Sequence, residues 1–227
     1  MDISIIIPTY NEEKNIESVV RHLHEILQKA VPSFEIIVVD NGSTDDTNKL
    51  LSTLKKEIPT LVVEHIIRNI GYGNGILTGL SLAKGDVLGW IHADNQVDIN
   101  DVIRTYNKLI EEDLDVCKGT RISRDEHFMR IIQSKIYNGF FNILFNPPCR
   151  DINGSPKLFK KSVYEKMDLQ SRGWFIDPEM IIRGIRLGYK IGEVPIKWNS
   201  RQSGSSKVNI GAWLEFVKNM LAYKFVK

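Results

Sequence analysis

The stretch FEIIVVDNGSTDDTNKLLSTLKKE, residues 34–57, joins an apolar run to a helical pattern through a short polar turn. The apolar run ends at Asp40 and is typical of a strand that is buried on both faces. The turn supplies Ser43 and Asp45, which are side chains that cap helix N-termini. A strand followed at once by a helix predicts a βαβ unit, in which the next strand lies parallel to the first.

The same order recurs along the first half of the chain. It predicts an α/β fold, with a mostly parallel central sheet that helices cover on both faces. After residue 120 the pattern loosens, and we predict one domain over residues 1–207 and a C-terminal amphipathic helix over residues 208–227. Predicted strands lie at 3–7, 34–40, 61–67, 86–91, 115–119 and 189–198, and segment 152–159 is predicted as a short strand or turn. Predicted helices lie at 15–27, 43–57, 71–84, 97–112, 128–145, 177–188 and 209–227.

Composition narrows the classes of protein. The chain is 42% hydrophobic and 26% charged, as globular domains are, and its net charge of +2 argues against nucleic acid as a partner. Cys117 and Cys149 have no CxxC spacing, which predicts neither a disulfide scaffold nor a structural zinc and favours the cytoplasm. We expect no signal peptide at the N-terminus, and no apolar stretch approaches the ~20 residues of a membrane-spanning helix.

Polar side chains follow two of the predicted strands. In HADNQ, residues 92–96, the side chains of His92, Asp94 and Gln96 would point the same way in an extended chain. Such a set predicts a site for Mg²⁺ or Mn²⁺, and the imidazole favours Mn²⁺; alternatively, His92 only hydrogen-bonds to neighbouring backbone. At the end of the second strand, Asp40 is predicted either to contact a nucleotide base or ribose or to serve as a turn or capping residue.

The glycines of GYGNG, residues 71–75, argue against a nicotinamide enzyme. A dinucleotide-binding domain places G-x-G-x-x-G after its first strand, because the pyrophosphate needs close approach to the backbone there. Here the glycines follow the third strand and have a different spacing.

Several segments together carry a resemblance to a known family. IIIPTYNEEKNI (5–16), IIVVDNGSTDDT (36–47), RNIGYGNGILTGLSLAKGD (68–86), HADNQ and GTR (119–121) resemble the inverting family-2 glycosyltransferases, which have the GT-A fold. DINGSPKLFKK (151–161), EVPIKW (193–198) and RQSGSSK (201–207) are similar to the dolichyl- and polyprenyl-phosphate mannosyl- and glucosyltransferases. The family usually has Asp-Ala-Asp where this chain has His92-Ala93-Asp94.

The resemblance implies an enzyme that transfers a sugar from a GDP- or UDP-sugar with the help of a divalent metal. Asp94 and Gln96 would bind the metal on the donor diphosphate, and Arg121 would face a phosphate. Arg201 and Lys207 would lie on a loop that closes over the donor, in keeping with its glycines and two cations. The implied nucleotide-sugar site comprises Pro8, Tyr10, Glu12, Asp40, Gly73, His92 and Asp94.

The acceptor separates the functional alternatives. A polyprenyl phosphate is already ionised near neutral pH and needs no general base, whereas a hydroxyl of a surface polysaccharide or glycolipid needs one. Asp177 and Glu179, near a predicted helix N-terminus, are candidates for such a base. We favour the polyprenyl phosphate, for which the apolar side chains of helix 128–145 would form a surface. A non-catalytic nucleotide-sugar binding protein is a further alternative, which His92 favours.

The two late helices also bear on membrane contact. The C-terminal helix carries Trp213, Phe216, Val217, Met220 and Leu221 on one face. This face predicts either peripheral contact with the cytoplasmic side of a membrane or packing against the protein's own domain. In helix 128–145 the same choice, between a lipid-binding surface and ordinary core, applies to Tyr137, Phe140, Phe141, Leu144 and Phe145.

Overall fold

The structure is a computed structural model that describes residues 1–124, 128–199 and 210–225. Seven strands form one sheet with the order β3-β2-β1-β4-β6-β5-β7. The strands are β1 (Ile3–Thr9), β2 (Phe34–Asp40), β3 (Leu61–His65), β4 (Val87–Trp90), β5 (Val116–Arg124), β6 (Lys157–Lys160) and β7 (Ile191–Trp198). The helices are α1 (Ile16–Ala30), α2 (Thr47–Glu57), α3 (Tyr72–Leu82), α4 (Asn100–Glu111), α5 (Phe128–Phe145), α6 (Lys161–Met167), α7 (Ile176–Arg186) and α8 (Ile210–Phe225).

The sheet is mostly parallel, as predicted. Strands β1 to β4 pair in parallel, and β5 pairs in parallel with β7. Only β6 runs the other way, between β4 and β5. Because β6 reverses direction, the carboxyl ends of β4 and β5 lie at the same edge of the sheet.

Helices cover both faces of this sheet and bury two apolar layers. One layer joins α1, α2 and α4 to alternate strand residues such as Ile5 and Val38. The other joins α3, α5, α6, α7 and α8 to the opposite faces of the strands, including Ile6 and Trp90. Strands buried on both sides explain why the sequence of the central strands is continuously apolar instead of alternating.

The predictions differ from the structure mainly after residue 115. Strand β5 continues to Arg124, because β7 pairs with it along its whole length, whereas we predicted an end at residue 119. Segment 152–159 was predicted only as a short strand or turn, and it contributes the antiparallel strand β6. Helix α6 was not predicted; its seven residues are too few to show a clear apolar period.

Helix α8 packs on the domain. Phe216, Met220 and Tyr223 are buried, and the Phe216 ring lies 5.0 Å from that of Tyr137 on α5. Leu221 is 41% exposed, so the predicted apolar face is divided between the domain and solvent. Among the helices of residues 1–124, 128–199 and 210–225, none combines the length and apolarity that crossing a bilayer requires.

Substitutions at two helical glycines test how closely the helices pack in this fold. A Cβ at Gly79 in α3 would lie 2.4 Å from the Ile6 side chain, whereas a Cβ at Gly139 in α5 would meet nothing within 4 Å. We expect Gly79→Ala to lower the free energy of unfolding by about 1–3 kcal/mol through overpacking. Gly139→Ala is the matched control and should raise it by up to about 1 kcal/mol, because alanine favours the helix. Urea unfolding measures both, and an equal effect of the two changes would contradict this packing.

Candidate active site

Three parallel strands bring polar residues to one edge of the sheet. Thr9, at the end of β1, pairs in register with Asp40, at the end of β2. On the other side of β1, Ile6 pairs with Trp90, the last residue of β4. The segments that leave β1, β2 and β4 therefore start side by side, at the edge where open parallel sheets bind their ligands.

The loops after β1 and β2 are tied to each other by hydrogen bonds. Asn11, with φ of 53°, donates its N–H to Ser43 Oγ at 2.9 Å, and the N–H of Glu12 donates to Thr47 Oγ1 at 3.0 Å. The Glu12 carboxylate accepts a hydrogen bond from the Asn15 side chain at 2.8 Å. These contacts hold Glu12 in the first loop, and they shape the region in which its nucleotide-binding role is predicted.

The carboxylate of Asp40 is buried and has two partners. It accepts the N–H of Ser43 at 3.0 Å, and its second oxygen lies 3.2 Å from His65 Nδ1. The first contact is the turn arrangement that was one of the two alternatives for Asp40. A nucleotide base or ribose that contacts Asp40, as predicted, would have to do so while Asp40 keeps its hydrogen bond from Ser43.

Two further residues predicted for the nucleotide site lie in this region. Pro8 is buried in β1, and a Cβ at Gly75 would lie 3.1 Å from it, so α3 approaches the strand closely. Tyr10 follows β1 and is half-buried. Their roles toward a nucleotide stay predictions.

The metal prediction assumed that the chain stays extended after β4, but the structure shows that it bends there. The strand ends at Trp90, and Asn95 has φ of 58°, which breaks the alternation of side chains. The N–H of Gln96 turns back to Asp94 Oδ1 at 3.3 Å, and its side-chain amide donates to the carbonyl of Asn199 at 3.0 Å. The expectation of an extended segment is therefore wrong, and the Gln96 amide nitrogen is directed to the end of β7.

His92 belongs to an aromatic stack that we define as Tyr72, His92 and Trp174. The Tyr72 ring is nearly parallel to both others, with centroids 5.6 Å from His92 and 4.8 Å from Trp174. Trp198 meets His92 edge-on at 5.8 Å. The Nε2 atom of His92 is buried and has no hydrogen-bond partner among the described residues, and burial lowers the pKa of His92. The imidazole is thus held neutral, in the form that ligates metals.

The side chains beside the stack suit a metal ion whose remaining ligands come from the substrate. Within the three described ranges, no three His, Cys, Asp or Glu side chains are grouped as metal ligands. Asp94, which is 4% exposed, and His92 both lie in the segment that leaves β4. Mg²⁺ and related ions are commonly held by one or two carboxylates together with substrate phosphates, so this pair fits such an ion.

Asp177 is buried in an ion pair. Its Oδ1 lies 3.0 Å from Lys157 Nζ and accepts a hydrogen bond from the indole of Trp90 at 3.1 Å. Lys157 is fully buried, and burial lowers its pKa. The two residues come from α7 and β6, so the pair also joins the antiparallel strand to the helix whose carboxylates are the candidates for a base in the alternative with a hydroxyl acceptor.

Glu179 is surrounded by hydrogen-bond donors. Its carboxylate accepts the N–H groups of Gln170 and Ser171, the Nε–H of Arg183 and the hydroxyl of Tyr223. Burial alone would raise the pKa of Glu179, but the donations from Tyr223 and Ser171 outweigh it and lower the pKa. A carboxylate stabilised in this way is a poor general base, so the structure favours an organising role for Glu179.

Arg121 is held by Asp151 from the start of the DINGSPK segment. Its Nε and a terminal nitrogen donate to the two carboxylate oxygens of Asp151 at 2.6 and 2.7 Å. The guanidinium also lies over the Trp198 ring at 5.0 Å. Fully buried Lys118 donates to the backbone carbonyls of Gly119 and Asp151. Arg121 therefore lies next to the aromatic group around His92 in a fixed orientation.

Gly73 has a packing role that the sequence did not reveal. Its N–H donates to the carbonyl of Gly173 at 3.1 Å, and the N–H of Asn74 donates to the carbonyl of Arg172 at 2.9 Å. A Cβ at Gly73 would lie 2.2 Å from the carbonyl oxygen of Ser171. The start of α3 is thus covered by segment 171–173, and these N–H groups already have acceptors.

Two predicted residues, Arg201 and Lys207, lie outside the described residues. Sequence reasoning missed other parts of this site. Single aromatic or basic residues inside longer motifs carry little signal, although Tyr72 stands out between two glycines. The missed residues are Tyr72, Trp90, Trp174, Trp198, Lys118, Asp151 and Lys157.

Comparison with known proteins identifies the family. The structure superposes on glucosyl-3-phosphoglycerate synthase from Mycobacterium tuberculosis, solved with Mn²⁺, UDP and phosphoglyceric acid, with a TM-score of 0.73 and 19% identity, covering 98% of this chain and 76% of that one. The chain is 27% identical to glycosyltransferase AglD of Haloferax volcanii over 92% of its own length and 35% of AglD, so it spans about a third of that relative. It is 30% identical to polyprenol monophosphomannose synthase of Mycolicibacterium smegmatis, covering 90% of this chain and 80% of that protein. Residues 4–168 match the model of glycosyl transferase family 2, and the chain belongs to that family.

Proposed function

We propose that this protein transfers a sugar from a nucleotide-sugar donor to a polyprenyl phosphate, with inversion at the anomeric carbon. Family membership and the relative named as a polyprenol monophosphomannose synthase support this assignment. The observation that carries the choice of acceptor is the buried ion pair between Asp177 and Lys157.

In this reaction an oxygen of the lipid phosphate forms a bond to the anomeric carbon. The bond from that carbon to the nucleoside diphosphate breaks, and the diphosphate leaves with the electron pair. Asp94, together with neutral His92, would hold Mg²⁺ or Mn²⁺ at this site, and the bound ion would supply charge neutralisation for the leaving group. The solved relative in fold that contains Mn²⁺ and UDP supports a divalent metal.

The carboxylates near α7 do not have the environment of a general base. Asp177 already shares one oxygen between the Lys157 ammonium and the Trp90 indole, so its negative charge is stabilised. Glu179 accepts hydrogen bonds from four residues and is fully buried. An efficient base needs a pKa near the working pH, whereas the hydrogen bonds to Glu179 outweigh its burial and lower its pKa. An acceptor that arrives already ionised, such as a phosphate, needs no base.

Arg121 would provide positive charge for a phosphate group in this scheme. Its bidentate pairing with Asp151 and its position over Trp198 fix the orientation of the guanidinium. A fixed cation is favourable for catalysis because it need not reorganise as charge develops. Arg201 and Lys207 would contribute further positive charge, as the family resemblance implies.

The first prediction tests the donor site. Asp94→Asn should lower sugar transfer by at least about 10²-fold, because the carboxylate charge that holds the ion is lost. Asp98→Asn is a matched control: Asp98 is exposed and accepts the N–H of Asn100 at the start of α4, which the oxygen of an asparagine side chain can also accept. Transfer of radiolabelled sugar to a polyprenyl phosphate measures both variants. Wild-type activity in Asp94→Asn would contradict the assignment of this carboxylate.

The second prediction tests the acceptor. Asp177→Asn alone would leave Lys157 buried without its counter-ion, so the neutral double variant Asp177→Asn/Lys157→Met is used. We expect it to keep transfer to a polyprenyl phosphate within about tenfold of wild type, since a missing general base would cost about 10²–10⁴-fold. Nucleotide binding by the double variant is the control for its folding. A folded double variant that binds nucleotide but loses transfer more than a hundredfold would instead indicate a hydroxyl acceptor and a catalytic Asp177.

We propose, in addition, that the ends of α5 and α8 form a surface that contacts the cytoplasmic face of a membrane. Ile143 is 83% exposed and Phe225 is 74% exposed. Lys224 connects the end of α8 to the end of α5, because its Nζ donates to the carbonyl of Leu144 at 2.6 Å and lies over the Phe145 ring. Exposed Lys218 adds positive charge on α8. Apolar side chains beside lysines are suited to an anionic lipid surface.

This surface differs from the one that the sequence indicated. In α5, Tyr137 and Phe141 are buried in the core, and Phe140, Leu144 and Phe145 are partly buried against it. These five residues mainly hold α5 on the domain. The side chains that face outward are others, chiefly Ile136 and Ile143.

The third prediction concerns this membrane surface. The double variant Ile143→Asp/Phe225→Asp should bind at least about tenfold less to vesicles that contain anionic lipid, because each change places a charge in the apolar contact. Ile110→Asp on α4 is the control, since Ile110 is 51% exposed on a distant helix. Vesicle sedimentation measures the bound fraction. Equal binding by the double variant and wild type would contradict the proposed surface.

A further inference from the structure

We infer that Glu179 and Tyr223 are positioning residues that couple the C-terminal helix α8 to the aromatic stack at the donor site. The inference rests on the proposed function only where it concerns the nucleotide. The coupling consists of a continuous series of contacts, from α8 through α7 and segment 170–173 to the start of α3.

The first step joins α8 to α7. The hydroxyl of Tyr223 donates to Glu179 Oε1 at 2.5 Å, and both residues are buried. Arg186, also on α7, donates to the backbone carbonyl of Tyr223. The Tyr223 ring packs against Phe175 at 5.4 Å. Helix α8 is thus attached to α7 by polar and apolar contacts at the same point.

The second step joins Glu179 to the segment before α7. Its carboxylate accepts the N–H of Ser171 at 2.7 Å and the N–H of Gln170 at 3.1 Å. Hydrogen bonds to a charged, buried acceptor are among the stronger ones in proteins. They fix the backbone of this segment, so its next carbonyl groups have a defined position.

The third step joins that segment to α3. The carbonyls of Arg172 and Gly173 accept the N–H groups of Asn74 and Gly73. The fit is close, because a Cβ at Gly71 would lie 2.4 Å from the Arg172 carbonyl oxygen. A shift of the segment by a few tenths of an ångström therefore has to move the start of α3.

The last step reaches the site. Tyr72, the first residue of α3, stacks on Trp174, which directly follows segment 170–173, and on His92, which lies two residues before Asp94. The rings that set the position of His92 are thus attached to α3 and to the end of segment 170–173, which the carbonyls of Arg172 and Gly173 join to each other. No residue between Tyr223 and Tyr72 needs to touch substrate for this effect.

The experiment uses Tyr223→Phe, which keeps the ring and removes only the hydroxyl that donates to Glu179. The matched control is Tyr189→Phe, because the Tyr189 hydroxyl has no hydrogen-bond partner. Calorimetric titration with UDP and with GDP, each with Mn²⁺, gives the affinity for nucleotide. Amide hydrogen exchange of Gly73 and Asn74, measured without any ligand, reports on the series of contacts from α8 to α3, which we call the relay.

We expect Tyr223→Phe to weaken nucleotide binding between about twofold and about thirtyfold, the range found for substitutions within coupled networks. Exchange at Gly73 and Asn74 should become faster in the same variant, and Tyr189→Phe should match wild type in both measurements. Glu179→Gln, which disturbs the same network, should give the same two effects. A Tyr223→Phe protein that unfolds more easily yet keeps wild-type affinity and exchange would overturn the inference.

The two proposals fail in different ways. If wild-type protein binds neither nucleotide, the proposed function is contradicted, while the exchange at Gly73 and Asn74 still decides whether the relay exists. If wild-type protein binds a nucleotide and Tyr223→Phe binds it equally well, the relay to the donor site is contradicted and the proposed function stands.

Discussion

The parallel pairing of β1 with β2 and β4 is the constraint on which the rest of the structure depends. It sets the carboxyl ends of three strands side by side, so that the loops after Thr9, Asp40 and Trp90 leave the sheet at one place. The loops after Thr9 and Asp40 are then tied to each other by hydrogen bonds, as Asn11 is to Ser43. The carboxylate of Asp94 and the ring of His92 lie at this edge because both residues directly follow the carboxyl end of β4.

Around that edge, buried charges are arranged in pairs with defined partners. Asp177 is matched by Lys157, and Arg121 by Asp151. A lone charge in these positions would be very unfavourable, so the pairs are retained together or lost together. Their presence within one domain explains how the protein keeps fixed positive and negative groups near an anionic substrate. It is also the basis of our proposal that the carboxylates of α7 are structural anchors and not bases.

The parallel sheet and most of its elements were predictable from the sequence, because doubly buried strands give continuous apolar runs and the helices between them have clear apolar faces. Strand β6 and helix α6 were harder to predict from the sequence, because each is short and is held in place by tertiary contacts. At the site, Asp94 stood out because polar residues followed an apolar strand. Lys157 gave no such signal: its ion pair with Asp177 joins residues that are distant in sequence, and the pairing exists only in the folded chain.

The account depends most on the place of the donor diphosphate relative to Asp94. Crystals grown with Mn²⁺ and either UDP or GDP, measured at a wavelength where manganese scatters anomalously, would locate the ion directly. We predict a peak within ligand distance of the Asp94 carboxylate, with the phosphates on its far side and the His92 ring beside it. A manganese peak and phosphates bound elsewhere, with Asp94 still turned toward the Gln96 N–H, would contradict the account.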